Sequence, residues 1–281
     1  MALTLTGAGV VYGAGTRNER RALSDVDLTV GAGDLVIVVG ATGSGKSTLL
    51  RAAAAVLPLS AGTVTIDGIP VVTPASQDRE RRIGLVFQDP EAQLFADTVL
   101  EDVSFGPRNL ESADPTADAR RAMQRVGLDP GAFADRSPFT LSGGEARRVA
   151  IAGILAMDPA YLLMDEPTAG LDAAGRAFML DAIHTARESA GVVVVTHDAE
   201  ELLAEADRVV ILAEGAVVHA GPAGDLVSDP SPLAAAGLLP PDVLAVQQLA
   251  AAHGAELPAF TLDPERVAHS LARALEADER P

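Results

Sequence analysis

The run Gly40-Ala41-Thr42-Gly43-Ser44-Gly45-Lys46-Ser47-Thr48 has the residue types that hold a polyphosphate. It fits the pattern G-x-x-x-x-G-K-[ST], and a chance match in a chain of this length is of order 1%. Glycines let successive backbone N–H groups turn inward around phosphate oxygens. A helix N-terminus directly after them adds positive potential. Lys46 is spaced to reach the β- and γ-phosphates, and Ser47 to ligate Mg2+. Downstream, the apolar run Leu162-Leu163-Met164 ends in Asp165-Glu166-Pro167. An Asp at the end of a strand beside such a loop is placed to hold the Mg2+ shell, and an adjacent Glu to orient or deprotonate an attacking water. Taken alone, an Asp-Glu pair after apolar residues reads as a solvated turn; the loop upstream is what gives it chemistry. A third group is Leu141-Ser142-Gly143-Gly144-Glu145. Ser142 and Glu145 form an S-x-x-E capping box, which explains those two residues structurally. The two glycines cost helix stability, and a capping box does not need them. They make sense where something must approach the backbone closely, and the N-terminus of a helix suits an anion. The chain therefore carries two phosphate-type sites.

The elements that must position these groups follow from the apolar patterning. Leu35 to Val39 is a short continuous apolar run, the pattern of a fully buried parallel strand. It enters the Gly-rich loop, and a helix is expected from about Lys46 to Leu57, stopped by Pro58. Further buried strands are read at Ile83 to Phe87, Tyr161 to Met164 and Val192 to Thr196, with two shorter ones at Asp207 to Leu212 and Ala216 to Ala220. Ala2 to Gly9 and the alternating Ala22 to Val30 read as N-terminal strands. Thr63 to Val72 reads as a hairpin turning at Asp67-Gly68. Between Asp89 and about Ala156 the pattern is helical, around Asp97 to Ser104, Pro115 to Val126 and Gly143 to Met157. Strands alternating with helices predict a mostly parallel α/β sheet with a helical insertion. After Gly221 the composition shifts to Pro, Ala and Leu. Helices are expected there from about Pro241 to Ala252 and from Asp263-Pro264-Glu265 onward, the latter with an N-cap and Pro at its first position. Val267, Leu271 and Leu275 form its apolar stripe, which faces either a partner or this chain's own core.

Composition narrows the function classes. The chain has 281 residues, 48% of them hydrophobic but only 3% aromatic, so aliphatic residues and Ala must fill the core. Twenty-one basic residues against 39 acidic ones give a formal charge of −18. That charge opposes general binding to nucleic acid or anionic lipid. The absence of Cys excludes disulfides, a Cys nucleophile and thiolate metal sites. No apolar run approaches the roughly 20 residues of a membrane span, and no signal peptide is read at the N-terminus, so a soluble, intracellular chain is expected. Lys46 is the sole lysine; every other basic residue is Arg, and Asp outnumbers Glu. A GC-rich genome and a high-salt cytoplasm both account for this bias, and both readings stay open.

Gly40 to Ser47, Leu141 to Glu145 and Asp165-Glu166, in this order and spacing, resemble an ABC-type ATPase subunit over about residues 1 to 220. The resemblance implies a P-loop NTPase (RecA-like) fold with an N-terminal antiparallel β subdomain. An inserted helical subdomain of about residues 89 to 156 and a small C-terminal helical extension, 221 to 281, complete it. It also implies ATP hydrolysis, with ATP and Mg2+ as cofactors. In such proteins two subunits sandwich two ATP molecules, the phosphate loop of one facing the Ser-Gly-Gly helix of the other. On this chain Gly40 to Thr48 would bind one nucleotide, and Ser142, Gly143 and Gly144 the partner's. Tyr12 sits where the family stacks an aromatic on adenine, although the loop from Gly13 to Arg21 is longer than many. Gln88 matches the glutamine that senses the nucleotide and joins Ser47 and Asp165 at the metal. Ala169-Gly170-Leu171-Asp172 matches the D-loop, and His197 the switch histidine at the γ-phosphate. With Glu166, Gln88 and His197 form the expected catalytic set. Glu145 stands where many members have Gln.

Val86-Phe87-Gln88-Asp89-Pro90-Glu91-Ala92-Gln93-Leu94-Phe95, followed by Thr98 to Pro107, resembles more closely the ATPases of energy-coupling factor transporters, the cobalt, nickel and vitamin importers. Arg147 to Gly153 has the same character. That resemblance implies a second ATPase, the same chain or a paralogue. It also implies an integral-membrane T component gripped through Gln93, Leu94 and Phe95, a substrate-binding S component, and a peripheral place on the cytoplasmic face of the cell membrane. The alternatives are an ATPase of another ABC importer or exporter, or a soluble ABC ATPase of DNA repair or translation. The second would need coiled coils or tandem ATPase units that this chain lacks. The transported substrate is not written in the sequence.

Overall fold

Leu35–Val39 is buried at every position, and its side chains serve two cores because a strand alternates faces. Leu35, Ile37 and Val39 point into one apolar cluster, Val36 and Val38 into another. This strand, β3, is central to the computed structural model, which describes residues 1–71, 83–197, 200–255, 257 and 259–278. It follows β1 (Ala2–Tyr12) and β2 (Arg20–Gly31) and precedes α1 (Lys46–Ala53), β4 (Ala61–Ile66), β5 (Ile69–Pro70) and β6 (Ile83–Val86). A 3-10 turn at Pro90–Gln93 leads into α2 (Val99–Asn109), α3 (Pro115–Arg125), the one-turn α4 (Pro130–Phe133) and α5 (Gly143–Leu155). β7 (Tyr161–Asp165), α6 (Ala173–Arg187), β8 (Gly191–Val195), α7 (Glu200–Leu203), β9 (Arg208–Ala213) and β10 (Ala216–Gly221) complete the sheet region. The chain continues through α8 (Asp225–Ser228), α9 (Ser231–Ala235), α10 (Asp242–Ala252) and α11 (Pro264–Asp278).

Two sheets result. Six strands lie in the order β10-β9-β3-β8-β7-β6, and four in the order β2-β1-β4-β5. In the larger sheet every pairing is parallel except the β9–β10 edge. The smaller one is antiparallel throughout. One core joins Val36, Val38, Val193, Val195 and Leu163 to the antiparallel sheet and α1. The other joins the opposite face to α2, α3, α5 and α6, with Met123, Val149, Ile151 and Ile183 buried. Each such side chain contributes roughly 1.5–3 kcal/mol of burial, so aliphatic residues suffice where aromatics are scarce. This is the mostly parallel α/β architecture that the patterning predicts.

Local outcomes differ in places. α1 stops at Ala53 rather than Leu57, because Ala55 turns left-handed at φ 52° ahead of Pro58. β1 runs past Gly9 to Tyr12, through irregular pairing around Gly7 at φ 57°. The expected hairpin turns at Asp67-Gly68, both at positive φ as a type I′ turn requires; Val72, its expected end, lies outside the described residues. α2 extends to Asn109 with Pro107 inside it. α6 has no counterpart in the sequence reading, and neither do the short α4, α7, α8 and α9. Among the described residues no helix is long and apolar enough to cross a membrane.

Candidate active site

Because β3, β8, β7 and β6 are parallel neighbours, their carboxyl ends lie side by side. Gly40 follows β3, Thr196-His197 follow β8, Asp165-Glu166 end β7, and Gln88 stands just past β6. Ligands of open α/β sheets bind along this edge. Residues scattered over more than half the chain are thus brought to one edge by topology alone.

The phosphate loop is built on necessity at two glycines. A Cβ on Gly40 would come within 2.3 Å of the Leu212 carbonyl and 2.5 Å of Ser44 Oγ. Gly45 caps α1 at φ 109°, and a Cβ there would meet the Ala22 carbonyl at 2.7 Å. Among the described residues no side chain caps this helix and its first turn holds no acid; its leading N–H groups have no partner within the helix. Lys46 Nζ donates to the carbonyls of Gly40 (2.6 Å) and Ala41 (3.1 Å). Its pKa is lowered by burial, against the opposing pull of Glu166 and Asp165. Asp165 is 4% exposed, with the Ser47 side chain beside its carboxylate. Burial pushes the Asp165 carboxyl up; the Ser47 hydrogen bond works against that rise, neighbouring Glu166 adds to it, and Arg51 and Lys46 oppose it. These groups suit a nucleotide phosphate. They also fit Mg2+, a hard ion that takes a hydroxyl and one or two carboxylates and fills its shell with phosphate oxygens and water. Among the described residues no three His, Asp or Glu side chains converge on a metal point.

Glu166 begins a turn in the left-handed region at φ 51°. Its N–H donates to the Val195 carbonyl at 2.8 Å, and its Oε2 lies 2.9 Å from Nδ1 of His197. The carboxylate is largely covered at 13% exposed, while the imidazole is 73% exposed. The hydroxyl of Tyr12, at the end of β1, hydrogen-bonds Thr48 Oγ1 at 3.3 Å, which sets its ring beside the first turn of α1. Gln88 is exposed at its edge. At the second site the capping box forms as read: Ser142 Oγ accepts from Glu145 N at 3.3 Å and Glu145 Oε2 accepts from Ser142 N at 2.8 Å. Those hydrogen bonds, with Arg136 alongside, hold the Glu145 carboxyl below its ordinary range. A Cβ on Gly143 would touch nothing, so this chain's own packing does not demand that glycine. Asp172 of the D-loop is the N-cap of α6, accepting from Gly175 N at 2.7 Å.

Three residues escape the sequence reading, wholly or in part. Arg20, at the start of β2, donates to the Gly43 carbonyl at 3.4 Å. Arg147 is a buried cation that donates to the carbonyls of Glu166 and Pro167. Phe105 is 45% exposed and meets Phe95, itself 58% exposed, edge to face at 4.8 Å. Leu94, expected beside Phe95 on the surface, is partly buried against the large core; Phe105, further along the chain on α2, takes that place.

Residues 23–169 match the family model described as ABC transporter. The ATP-binding protein EcfA2 of an energy-coupling factor transporter from Symbiobacterium thermophilum is 43% identical over 88% of each chain. Its namesake from Lactiplantibacillus plantarum is 39% identical over 98% of this chain and 96% of its own. The chain belongs to the ABC transporter family, and within it to the ATP-binding proteins of energy-coupling factor transporters. It is an ATPase cassette. Among solved structures it is similar to the dimeric ATP-binding cassette MJ0796 in a post-hydrolysis state with ADP and Pi, at 29% identity and TM-score 0.71, covering 79% of this chain and 98% of that one. It is also similar to cbiO1 of Clostridium perfringens, part of the ABC transporter complex cbiONQ, at 29% identity and TM-score 0.70, covering 88% and 98%.

Proposed function

We propose that this chain hydrolyses ATP to power a membrane importer of a micronutrient, a metal ion or a vitamin, from the cytoplasmic face of the membrane. The observation that carries the catalytic part is the Glu166–His197 hydrogen bond at the sheet edge that also holds Lys46, Ser47 and Asp165. In this reading residues 1–220 are the ATPase unit, 89–156 its helical insert and 221–281 an extension. The α1 N-terminus, the loop Gly40 to Gly45 and Lys46 hold the phosphates, and Thr48 and Tyr12 hold the nucleoside end. Ser47 and Asp165 would hold Mg2+ with Gln88 nearby; when bound, the ion neutralises charge on the phosphates. Glu166 accepts a proton from the attacking water, and His197 keeps that carboxylate turned toward the phosphate loop. Ser142, Gly143 and Gly144 offer amides to the nucleotide of a second ATPase, the same chain or a paralogue. That pairing is supported by the open face of Gly143 and by the dimeric form of its structural relative.

The exposed Phe95–Phe105 pair supports a membrane-component contact, with the T component as its partner and an S component supplying substrate selectivity. Membrane pull-down of the tagged chain, followed by mass spectrometry, tests the importer reading. Recovery of a small hydrophobic integral-membrane protein is expected; recovery of exporter halves or of no membrane protein would replace it.

A further inference from the structure

The buried cation Arg147 has no part in the mechanism above. It lies on α5, one turn beyond Gly143 and Gly144, and is 6% exposed. Among the described residues its guanidinium spends its donors on main-chain carbonyls. Nη2 donates to Glu166 O, and Nε donates to Pro167 O at 3.3 Å. The Glu166 carbonyl also accepts from Ala169 N at 3.2 Å, so it is the hub of the turn leading into Leu171. That turn packs back on α5: a Cβ on Gly144 would lie 3.7 Å from Leu171 Cδ2. Glu166 itself occupies φ 51°, a conformation an L-residue keeps only where its surroundings impose it. A buried, forked donor on two successive carbonyls is such an imposition, and a planar guanidinium does it better than any other side chain.

We infer that Arg147 is a positioning residue for Glu166, tying the proton acceptor of one nucleotide site to the helix whose N-terminus takes the nucleotide of the other. The inference rests on the reading of Glu166 as that acceptor. Movement of α5 when the second nucleotide binds is then transmitted through one rigid side chain to the Glu166 main chain. Its carboxylate is aligned only when both sites are filled.

A double-mutant cycle in the full chain tests this, with hydrolysis of radiolabelled ATP as the rate and nucleotide affinity as a folding control. Arg147→Met should lower kcat about tenfold or more, since small misplacements of a catalytic group cost that much, with KM for ATP moving less than about threefold. Arg147→Lys, which retains a donor, should recover part of the rate. In a Glu166→Gln background, Arg147→Met should change the residual rate less than about twofold, because its only route to the chemistry has been removed. An equal loss in both backgrounds would place Arg147 elsewhere in the mechanism and overturn the inference, as would a wild-type rate for Arg147→Met. If the Met variant fails to fold, Arg147→Lys carries the same cycle. A loss of a few-fold is then expected with Glu166 intact and none in the Glu166→Gln background; equal losses overturn the inference. A wild-type rate for Glu166→Gln alone would instead defeat the assignment of Glu166, and the inference with it.

Discussion

At Glu166 three constraints converge: a main-chain hydrogen bond to Val195, a side-chain contact to His197 and a left-handed backbone. Replacing it with Gln should leave ATP affinity in place and lower turnover by about 10² or more, a typical loss for a missing general base. Lys46→Ala should instead weaken nucleotide binding itself, because it removes the one ammonium in the group proposed to hold the phosphates; equilibrium binding of a fluorescent nucleotide separates the two outcomes. Asp165 makes a different prediction. Burial raises its pKa, so the folded chain holds that proton more tightly than the unfolded chain does. Stability therefore falls as pH rises from the ordinary Asp range through the raised folded value, and stays lowered above it. Asp165→Asn should raise the melting temperature of the nucleotide-free protein at neutral pH. The gain should shrink toward zero as the solution is acidified below the ordinary Asp pKa, while ATP hydrolysis is lost. Thermal melts across pH check this, and a variant that melts lower than wild type at neutral pH would reverse the sign. Carboxylates kept at a stability cost are the usual mark of an active site.

At the scale of elements, α2 positions the surface ascribed to the membrane partner. Thr98 and Glu101 close a capping box at its start. One turn in, the Asp102 carboxylate accepts from the N–H groups of Phe95 (2.8 Å) and Ala96 (2.9 Å), fixing the segment that carries Phe95 against Phe105. Phe95→Ser with Phe105→Ser should abolish co-purification with the membrane complex and change ATPase activity of the isolated chain less than a few-fold. Normal assembly by the double variant would make the aromatic pair ordinary surface. Leu94 is a poorer choice for that test, since it packs against the core and its loss would unsettle the fold. The same contrast shows what is legible in the sequence. Strands with continuous apolar runs, the phosphate loop and the Ser142 cap are readable because their signals are local. α6 escapes although Asp172 caps it and Met179, Ile183 and Ala186 recur at helical spacing, because Asp172 already has a place in the D-loop motif. Arg147 and the Phe95–Phe105 pair depend on contacts between elements, which no local pattern encodes.

The whole molecule carries −18 charges on a single chain, and their mutual repulsion opposes compactness. Raising salt from about 0.1 M to about 1 M shortens the Debye length from roughly 10 Å to roughly 3 Å and should raise the melting temperature. A melting temperature that stays level or falls would show that the acidic surface costs nothing at low salt. At the C-terminus, Val267 is 5% exposed and Leu271 half-buried, so of the two readings of this stripe, partner or own core, Val267 follows the second. Gln247, buried on α10, holds Thr261 through both the Thr261 N–H and the Thr261 carbonyl. Gln247→Ala should cost about 1–3 kcal/mol, the usual penalty for stranding buried polar groups, measurable by urea unfolding. One consequence of Lys46 reaches beyond catalysis. It is the only side-chain amine in the molecule, drawn onto the Gly40 and Ala41 carbonyls and with its pKa lowered by burial. An acylating reagent therefore finds one side-chain amine, and that amine lies in the proposed nucleotide seat. Intact-mass counting of adducts, beyond any on the chain's α-amine, becomes a direct occupancy gauge: label-free protein means a filled seat, with no fluorophore or engineered tag required.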